Sequence, residues 1–282
     1  MALGRFQLLA LDIDGTLVNS RDEISQPTLQ ALREARQAGI RVVLVTGRRY
    51  RRTLHLAEQL ELDAPVITAS GALIKQPHNH RTLHCAELAR PTLLETLRVV
   101  EGAGYQAVMY ADSYHEGFDF YCVHATPDQM ELAEYLRLNA GFERVVPQLM
   151  REPPPAIFAG FAMGRQAEMH HLADELQRCV PGALYTHVIR SPAYSGYMCE
   201  ISRAGSTKWS ALKMLADDWH IPAAAICAVG DDVNDIPMIE AAGLGVAMGN
   251  AVDEVKQIAD RVAPSQEEDG VREVVRWLLQ SS

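Results

Sequence analysis

Apolar residues along this chain fall into short dense runs, separated by stretches where they recur every three or four positions. Residues 6–11 are a compact apolar run and 40–45 a run of β-branched and Leu side chains, as parallel strands buried on both faces require. Residues 66–69, 225–229 and 244–247 read the same way. Between these runs the spacing is helical. Leu29 and Leu32 share one face of a helix over 27–38, with Ser25 as its N-cap and Gly39 as its stop. Residues 54–60, 206–219 and 236–242 form further helices, and Val271, Val274, Val275, Leu278 and Leu279 mark a C-terminal one. Strands alternating with helices predict a parallel sheet covered by helices on both faces.

The rhythm breaks at 81–87 and resumes near Tyr197. In between, helices over 91–101 and 128–138 are mixed with extended segments at 106–110, 118–123, 157–163 and 185–189. Pro153, Pro154 and Pro155 make a rigid punctuation inside this part. The expected architecture is therefore an α/β core, 1–84 with 198–282, interrupted by an α+β domain over 85–197.

Composition narrows the function classes. The chain has 282 residues, 48% hydrophobic and 22% charged, which places it among ordinary globular proteins rather than disordered or fibrous ones. Lys and Arg number 26 against 36 Asp and Glu, a formal net charge of −10. Nucleic acid or an anionic membrane is a poor partner for such a surface. An anionic small molecule is not excluded, because a metal or a few cations can reverse the field inside one cleft. No run approaches the ~20 apolar residues of a membrane helix. The N-terminus lacks the basic start and cleavage site of a signal peptide, so a cytoplasmic setting is expected. Five widely spaced cysteines fit neither a disulfide framework nor a zinc site, and read as reduced thiols.

Four motifs could carry chemistry, and each follows a strand or opens a helix. Asp12-Ile13-Asp14-Gly15-Thr16 comes directly after the first strand, where ligand crevices of open α/β sheets lie. Two carboxylates so close repel unless a cation sits between them, and Mg2+ suits oxygen ligands. Thr46-Gly47-Arg48 ends the second strand, offering a hydroxyl and a free N–H to a phosphate oxygen. Alone it is ordinary turn chemistry. Lys208 stands at a helix start, where the macrodipole disfavours a cation unless something anionic compensates. Gly230-Asp231-Asp232-Val233-Asn234-Asp235 puts three carboxylates at another strand end, more than capping needs. Together they supply the parts of a phosphoryl-transfer site: a nucleophile, an acid/base, phosphate donors, a cation and metal carboxylates.

The order of these motifs resembles that of haloacid dehalogenase-like (HAD) phosphatases. The size and place of the insert resemble the C2B cap of the Cof-type branch. Ser70-Gly71-Ala72, Val246-Ala247-Met248-Gly249-Asn250-Ala251 and Glu268-Asp269-Gly270-Val271 resemble further signatures of that branch. Ser70 stands where the branch has Asn, and Asp232 is an added carboxylate, read here as a solvated cap.

The resemblance implies a Rossmann-like HAD core with a C2B cap, and hydrolysis of phosphate monoesters of small metabolites, sugar phosphates foremost. It implies Asp12 as nucleophile and Asp14 as general acid/base. Mg2+ would be held by Asp12, the Asp14 backbone carbonyl and Asp231, with Asp235 direct or through water. Ile13, Thr46, Gly47, Lys208 and Asn234 would hold the phosphoryl oxygens. A monomer is the family habit. In the insert, His115, Tyr121, His124, Tyr194 and Tyr197 are candidate substrate contacts, each also suited to packing. The adjacent His170 and His171 are poorly spaced for a metal and read as helix surface. A phosphomutase of the same superfamily is the nearest alternative, separable by a bisphosphate requirement. A silent metabolite sensor is a third, but it has no use for Asp14 as acid/base.

Overall fold

The computed structural model describes residues 6–125, 129–190 and 194–280. The chain begins with strand β1 (Leu8–Leu11), helix α1 (Gln26–Gln37), β2 (Arg41–Leu44), α2 (Tyr50–Gln59), β3 (Val66–Thr68), β4 (Leu73–Lys75) and β5 (Thr82–Cys85). The insert holds α3 (Arg90–Gly102), β6 (Ala107–Ala111), β7 (Phe120–Cys122), α4 (Met130–Leu138), β8 (Glu143–Val145), β9 (Ile157–Gly164), α5 (Gln166–Cys179), β10 (Leu184–Ile189) and β11 (Tyr197–Arg203). The return path holds α6 (Lys208–Asp218), β12 (Ile226–Gly230), α7 (Ile236–Ala241), β13 (Leu244–Ala247), α8 (Asp253–Ile258), β14 (Arg261–Val262) and α9 (Gly270–Gln280). Contacts divide the chain into one unit of 1–84 with 207–282 and another of 85–206.

The first unit is built on a parallel sheet in the order β14-β13-β12-β1-β2. Its central strands, β1 and β12, are buried along their whole length, as their unbroken apolar sequences require. Leu8 and Ala10 of β1 pack against Ala211, Leu212 and Leu215 of α6 and against Met238 and Ile239 of α7. Helices α1 and α9 pack together. Ser25 caps α1 by accepting the Thr28 N–H at 3.2 Å. Because β1, β2 and β12 are parallel and in register, their C-terminal ends deliver Asp12, Val45 and Asp231 to one edge of the sheet. A parallel bridge between Val45 and Ile67 brings the end of β3 to the same edge.

The second unit is a six-stranded sheet ordered β10-β11-β9-β6-β7-β8, antiparallel except between β7 and β8. Leu93, Leu97 and Val100 of α3 and Met169, Leu172 and Leu176 of α5 form one core with Met109, Ala162, Cys199 and Ile201 of the strands. Leu132 and Tyr135 of α4 pack with Phe120 and Phe161 in a separate cluster. The sequence reading closes the insert at Tyr197, whereas β11 pairs with both β9 and β10 and extends the unit to Ser206. That strand interrupts its apolar residues with Glu200 and Ser202, so it lacks the dense apolar run that marks the core strands. Helix α5 carries the His170-His171 pair, read from sequence as helix surface, and buries Met169, Leu172 and Leu176. The helix expected over 128–138 spans Met130–Leu138, and Asp128 lies outside the described residues. Among the described residues no helix is long and apolar enough to cross a membrane.

Candidate active site

Asp12 leaves β1 directly into a five-residue turn, Ile13–Leu17. Gly15 in that turn has φ +74°, and a Cβ there would lie 2.1 Å from Asp231 Oδ2. Only glycine lets the turn close against the Asp231 carboxylate. Asp231 follows β12 in the same way, and the short turn Val233–Asp235 brings Asp235 back beneath it. Asp12, Asp231 and Asp235 each offer a carboxylate oxygen, all within 4.8 Å of one another.

Lys208 is the first residue of α6 and is 2% exposed. Its Nζ donates to Asp12 Oδ1 at 2.6 Å and to Asp235 Oδ1 at 2.7 Å. These two anions answer the cost of a cation at a helix start. Asp235 is fully buried, and its other oxygen accepts the N–H groups of Asp231 and Asp232 at 3.0 and 3.1 Å. It is thus an anchor whose lone pairs are largely committed. Asp12 and Asp231 keep the more available oxygens.

Three carboxylates therefore share one ammonium in a buried place. Burial raises the Asp12 carboxyl well above its ordinary range, against the pull of Lys208 and with the push of Asp235, Asp231 and Asp14. Burial also pushes Asp231 up to about 8, with Asp235 adding to the rise. The Lys208 ammonium, despite its burial, is held charged by Asp12 and Asp235. This donor set has surplus negative charge and hard oxygen ligands, and it fits a small divalent cation.

Asp14 stands apart from this cluster. Its side chain is 45% exposed, and both carboxylate oxygens are taken by Arg48, from Nε at 2.8 Å and Nη2 at 2.7 Å. The carboxylate of Asp14 is not among the clustered ligand atoms, so any metal contact from this residue is left to its backbone carbonyl. The Thr46 hydroxyl accepts the Arg48 N–H at 3.1 Å, which leaves its proton to donate. The Thr46 N–H is committed to Ile67 O at 2.9 Å. Ile13 and Gly47 lie just beyond the paired ends of β1 and β2. The Asn234 side-chain oxygen is buried without a partner, so only its amide nitrogen suits a phosphoryl oxygen. Asp232 caps the Val233–Asp235 turn by accepting the Val233 N–H at 2.7 Å.

Further residues of this region have no role in the sequence reading. Asn250 donates to Gly15 O at 2.8 Å and accepts the Gln266 N–H at 3.2 Å, tying the Asp12 turn to the C-terminal loop. Its signal was its place in the Gly249-Asn250-Ala251 signature. Gly71 has φ +104°, and a Cβ there would meet Thr207 O at 2.2 Å. Thr207 is the N-cap of α6, accepting the Ser210 N–H at 3.1 Å. Gly71→Ala is therefore expected to push the start of α6 and displace Lys208. Turnover should fall about 10²-fold, as an ångström-scale misplacement can cost, with stability lower by about 2 kcal/mol. Wild-type turnover in that variant, alongside a normal melting curve, would show that Gly71 does not set the position of Lys208.

In the second unit, Tyr121 and Tyr197 are part-buried against the core of α3 and α5. Tyr194 packs on the Tyr135 ring at 4.9 Å and accepts from Asn139 at 2.9 Å. His115 meets the Tyr114 ring edge-on at 5.6 Å, and His124 is exposed. His170 and His171 are exposed on α5.

A family model described as haloacid dehalogenase-like hydrolase matches residues 9–275. The phosphatase YwpJ of Bacillus subtilis is 30% identical, over 97% of this chain and 100% of that protein. The 5-amino-6-(5-phospho-D-ribitylamino)uracil phosphatase YitU of the same organism is 30% identical, over 94% of each chain. The crystal structure of a haloacid dehalogenase-like hydrolase from Bacteroides thetaiotaomicron matches with a TM-score of 0.78 at 25% identity, covering 97% of this chain and 99% of the other.

Proposed function

We propose, from the premise that the chain belongs to the haloacid dehalogenase-like hydrolase family, that this phosphatase hydrolyses monoesters of small metabolites, sugar phosphates foremost, with Mg2+ and through an aspartyl-phosphate on Asp12. The observation that carries the reading is the buried Asp12 carboxylate, gripped through one oxygen by Lys208 and gathered with Asp231 and Asp235. The phosphate handled by YitU sits on a ribityl chain, which supports a polyol or sugar ester here.

Asp12 attacks phosphorus while the bond from phosphorus to the leaving oxygen breaks. The leaving oxygen keeps that electron pair and takes a proton from the Asp14 carboxyl. In the second step water attacks phosphorus, Asp14 takes its proton, and the bond to Asp12 breaks. The Thr46 hydroxyl, the Gly47 and Ile13 N–H groups, the Asn234 amide and Lys208 hold the phosphoryl oxygens. Positioning and charge stabilisation do most of the work in such a transfer. Asp12, the Asp14 carbonyl and Asp231 would hold Mg2+, with Asp235 steadying the set. When bound, Mg2+ supplies the positive charge that lets a carboxylate approach a phosphate.

The raised carboxyls give this reading a pH signature. Without metal, Asp231 keeps its proton up to about 8, far above an unfolded Asp near ~3.9. Between those limits the native protein binds more protons than the unfolded chain. Stability of the metal-free protein should therefore fall as pH rises from about 4 to about 8. Mg2+ must displace the same protons, so its affinity should climb over that interval and its binding should release protons. Calorimetric Mg2+ titrations at pH 6.5 and 8.5, in buffers of different ionisation enthalpy, measure both. An affinity independent of pH would count against a metal seated on Asp12 and Asp231.

The direct test is phosphate release from sugar phosphates, nucleotides and an aryl phosphate, with Mg2+ or EDTA, for the wild type and Asp12→Asn. Release that needs both Mg2+ and Asp12 supports the reading. Release that persists in EDTA removes the metal from it.

A further inference from the structure

Arg48 has a second partner that the reaction as written does not require. Its Nη2 donates to Asp14 Oδ1 at 2.7 Å and also to Asp22 Oδ1 at 2.5 Å. One guanidinium thus faces two carboxylates, of which only Asp14 has a chemical role. The Arg48 side chain is 12% exposed, and its Nη1 is buried with no hydrogen-bond partner.

The chain builds a turn to hold Asp22 there. Asn19 Oδ1 accepts the N–H groups of Arg21 and Glu23 at 2.9 and 3.1 Å. The Asn19 N–H reaches Glu23 O at 3.0 Å, and the Asp22 N–H reaches Asn19 O at 3.0 Å. Asp22 sits at the apex with φ 62°, a left-handed conformation that glycine adopts more easily. Outside contacts brace the turn: the Ser20 N–H donates to Glu267 Oε1 at 2.7 Å, and the Ser25 hydroxyl donates to Asp269. A turn that needed only its shape would favour glycine at this position. This one carries a carboxylate and aims it at Arg48.

A carboxyl bound through both oxygens to a guanidinium cannot also hydrogen-bond a leaving group. Asp14 must give up at least one Arg48 contact to act. The buried guanidinium then needs another anion, because one of its nitrogens already lacks a partner and a stranded buried charge is costly. We propose that Asp22 is a positioning residue that shares Arg48 with Asp14, so that Asp14 can swing to the substrate while Arg48 stays paired. The inference rests on the phosphatase reading, in which Asp14 serves the leaving group.

Leaving-group dependence tests it without knowledge of the natural substrate. The p-nitrophenolate of p-nitrophenyl phosphate departs with little help from an acid, whereas the phenolate of phenyl phosphate needs more. Asp22→Asn keeps the turn's shape and removes the charge; Asp22→Gly removes the carboxylate and relieves the left-handed backbone. Both variants are expected to melt within a few degrees of the wild type. Each should lower kcat/KM for phenyl phosphate about tenfold, a fraction of what general-acid catalysis supplies, with p-nitrophenyl phosphate changed less than about twofold. An equal loss on both esters, or no loss on either in Asp22→Gly, overturns the proposal. In those cases Asp12-dependent hydrolysis by the wild type leaves the phosphatase reading standing. If the wild type hydrolyses neither ester, that reading fails and the role of Asp22 fails with it.

Discussion

Asp12→Asn is expected to lose at least about three orders of magnitude in turnover, and to melt higher than the wild type in EDTA at pH 8. The first effect follows from chemistry. An amide in place of the carboxylate has no anionic oxygen to attack phosphorus, and Asp12 is the carboxylate that follows β1 and bonds Lys208. The second follows from charge. Asp12, Asp231 and Asp235 share the one ammonium of Lys208, and burial raises the carboxyls of Asp12 and Asp231. Removing one charge relieves repulsion, while an Asn oxygen can still accept from Lys208. The gain should be about 2–4 °C, the shift that ~1 kcal/mol produces in a chain of this size, as is common where stability has been given up for activity. Turnover like the wild type's would remove Asp12 as the nucleophile. A lower melting temperature would mean that the charged Asp12–Lys208 pair outweighs the crowding.

Lys208→Met should have the opposite effect on stability and a similar one on activity. Lys208 is buried and bonds two carboxylates at 2.6 and 2.7 Å. Methionine fills comparable space but leaves the buried Asp12 and Asp235 and the part-buried Asp231 facing one another. Breaking a buried ion pair from one side costs about 3–5 kcal/mol. Losing a charged donor to the phosphoryl group costs about 10²–10³ in rate. Mg2+ should restore much of the stability, because it replaces the missing positive charge, and little of the turnover. Equilibrium unfolding in EDTA and in Mg2+, with phosphate release alongside, separates the two. A Lys208→Met protein as stable as the wild type in EDTA would show that its carboxylates are already protonated there, and that Lys208 adds no net stabilisation.

Much of this site was legible in the chain, for a local reason. Asp12, Thr46 and Asp231 each follow a buried strand, and a parallel sheet in register carries such residues to one edge. Lys208 was legible through a misfit, a cation where the helix dipole repels one. The Asp232 cap was legible from its place before a short turn. The second unit was less legible. Its strand β11 pairs on both sides yet shows no dense apolar run, so the end of the insert was placed too early. Tyr121, Tyr194 and Tyr197, which in sequence suited packing or surface more than substrate contact, all have packing partners within the unit.

By itself the sequence determined the strand–helix alternation, the surplus of carboxylates over cations and the order of the four motifs. These depend on composition and on near neighbours. Only the tertiary structure decided that Asp14 is held by Arg48, that Asp22 shares that guanidinium, that Asn250 fastens Gly15 and that Gly71 abuts the cap of α6. Each of these joins segments far apart along the chain. Their energies depend on distances of a few ångströms, which residue order does not encode until the sheet has brought the strand ends together.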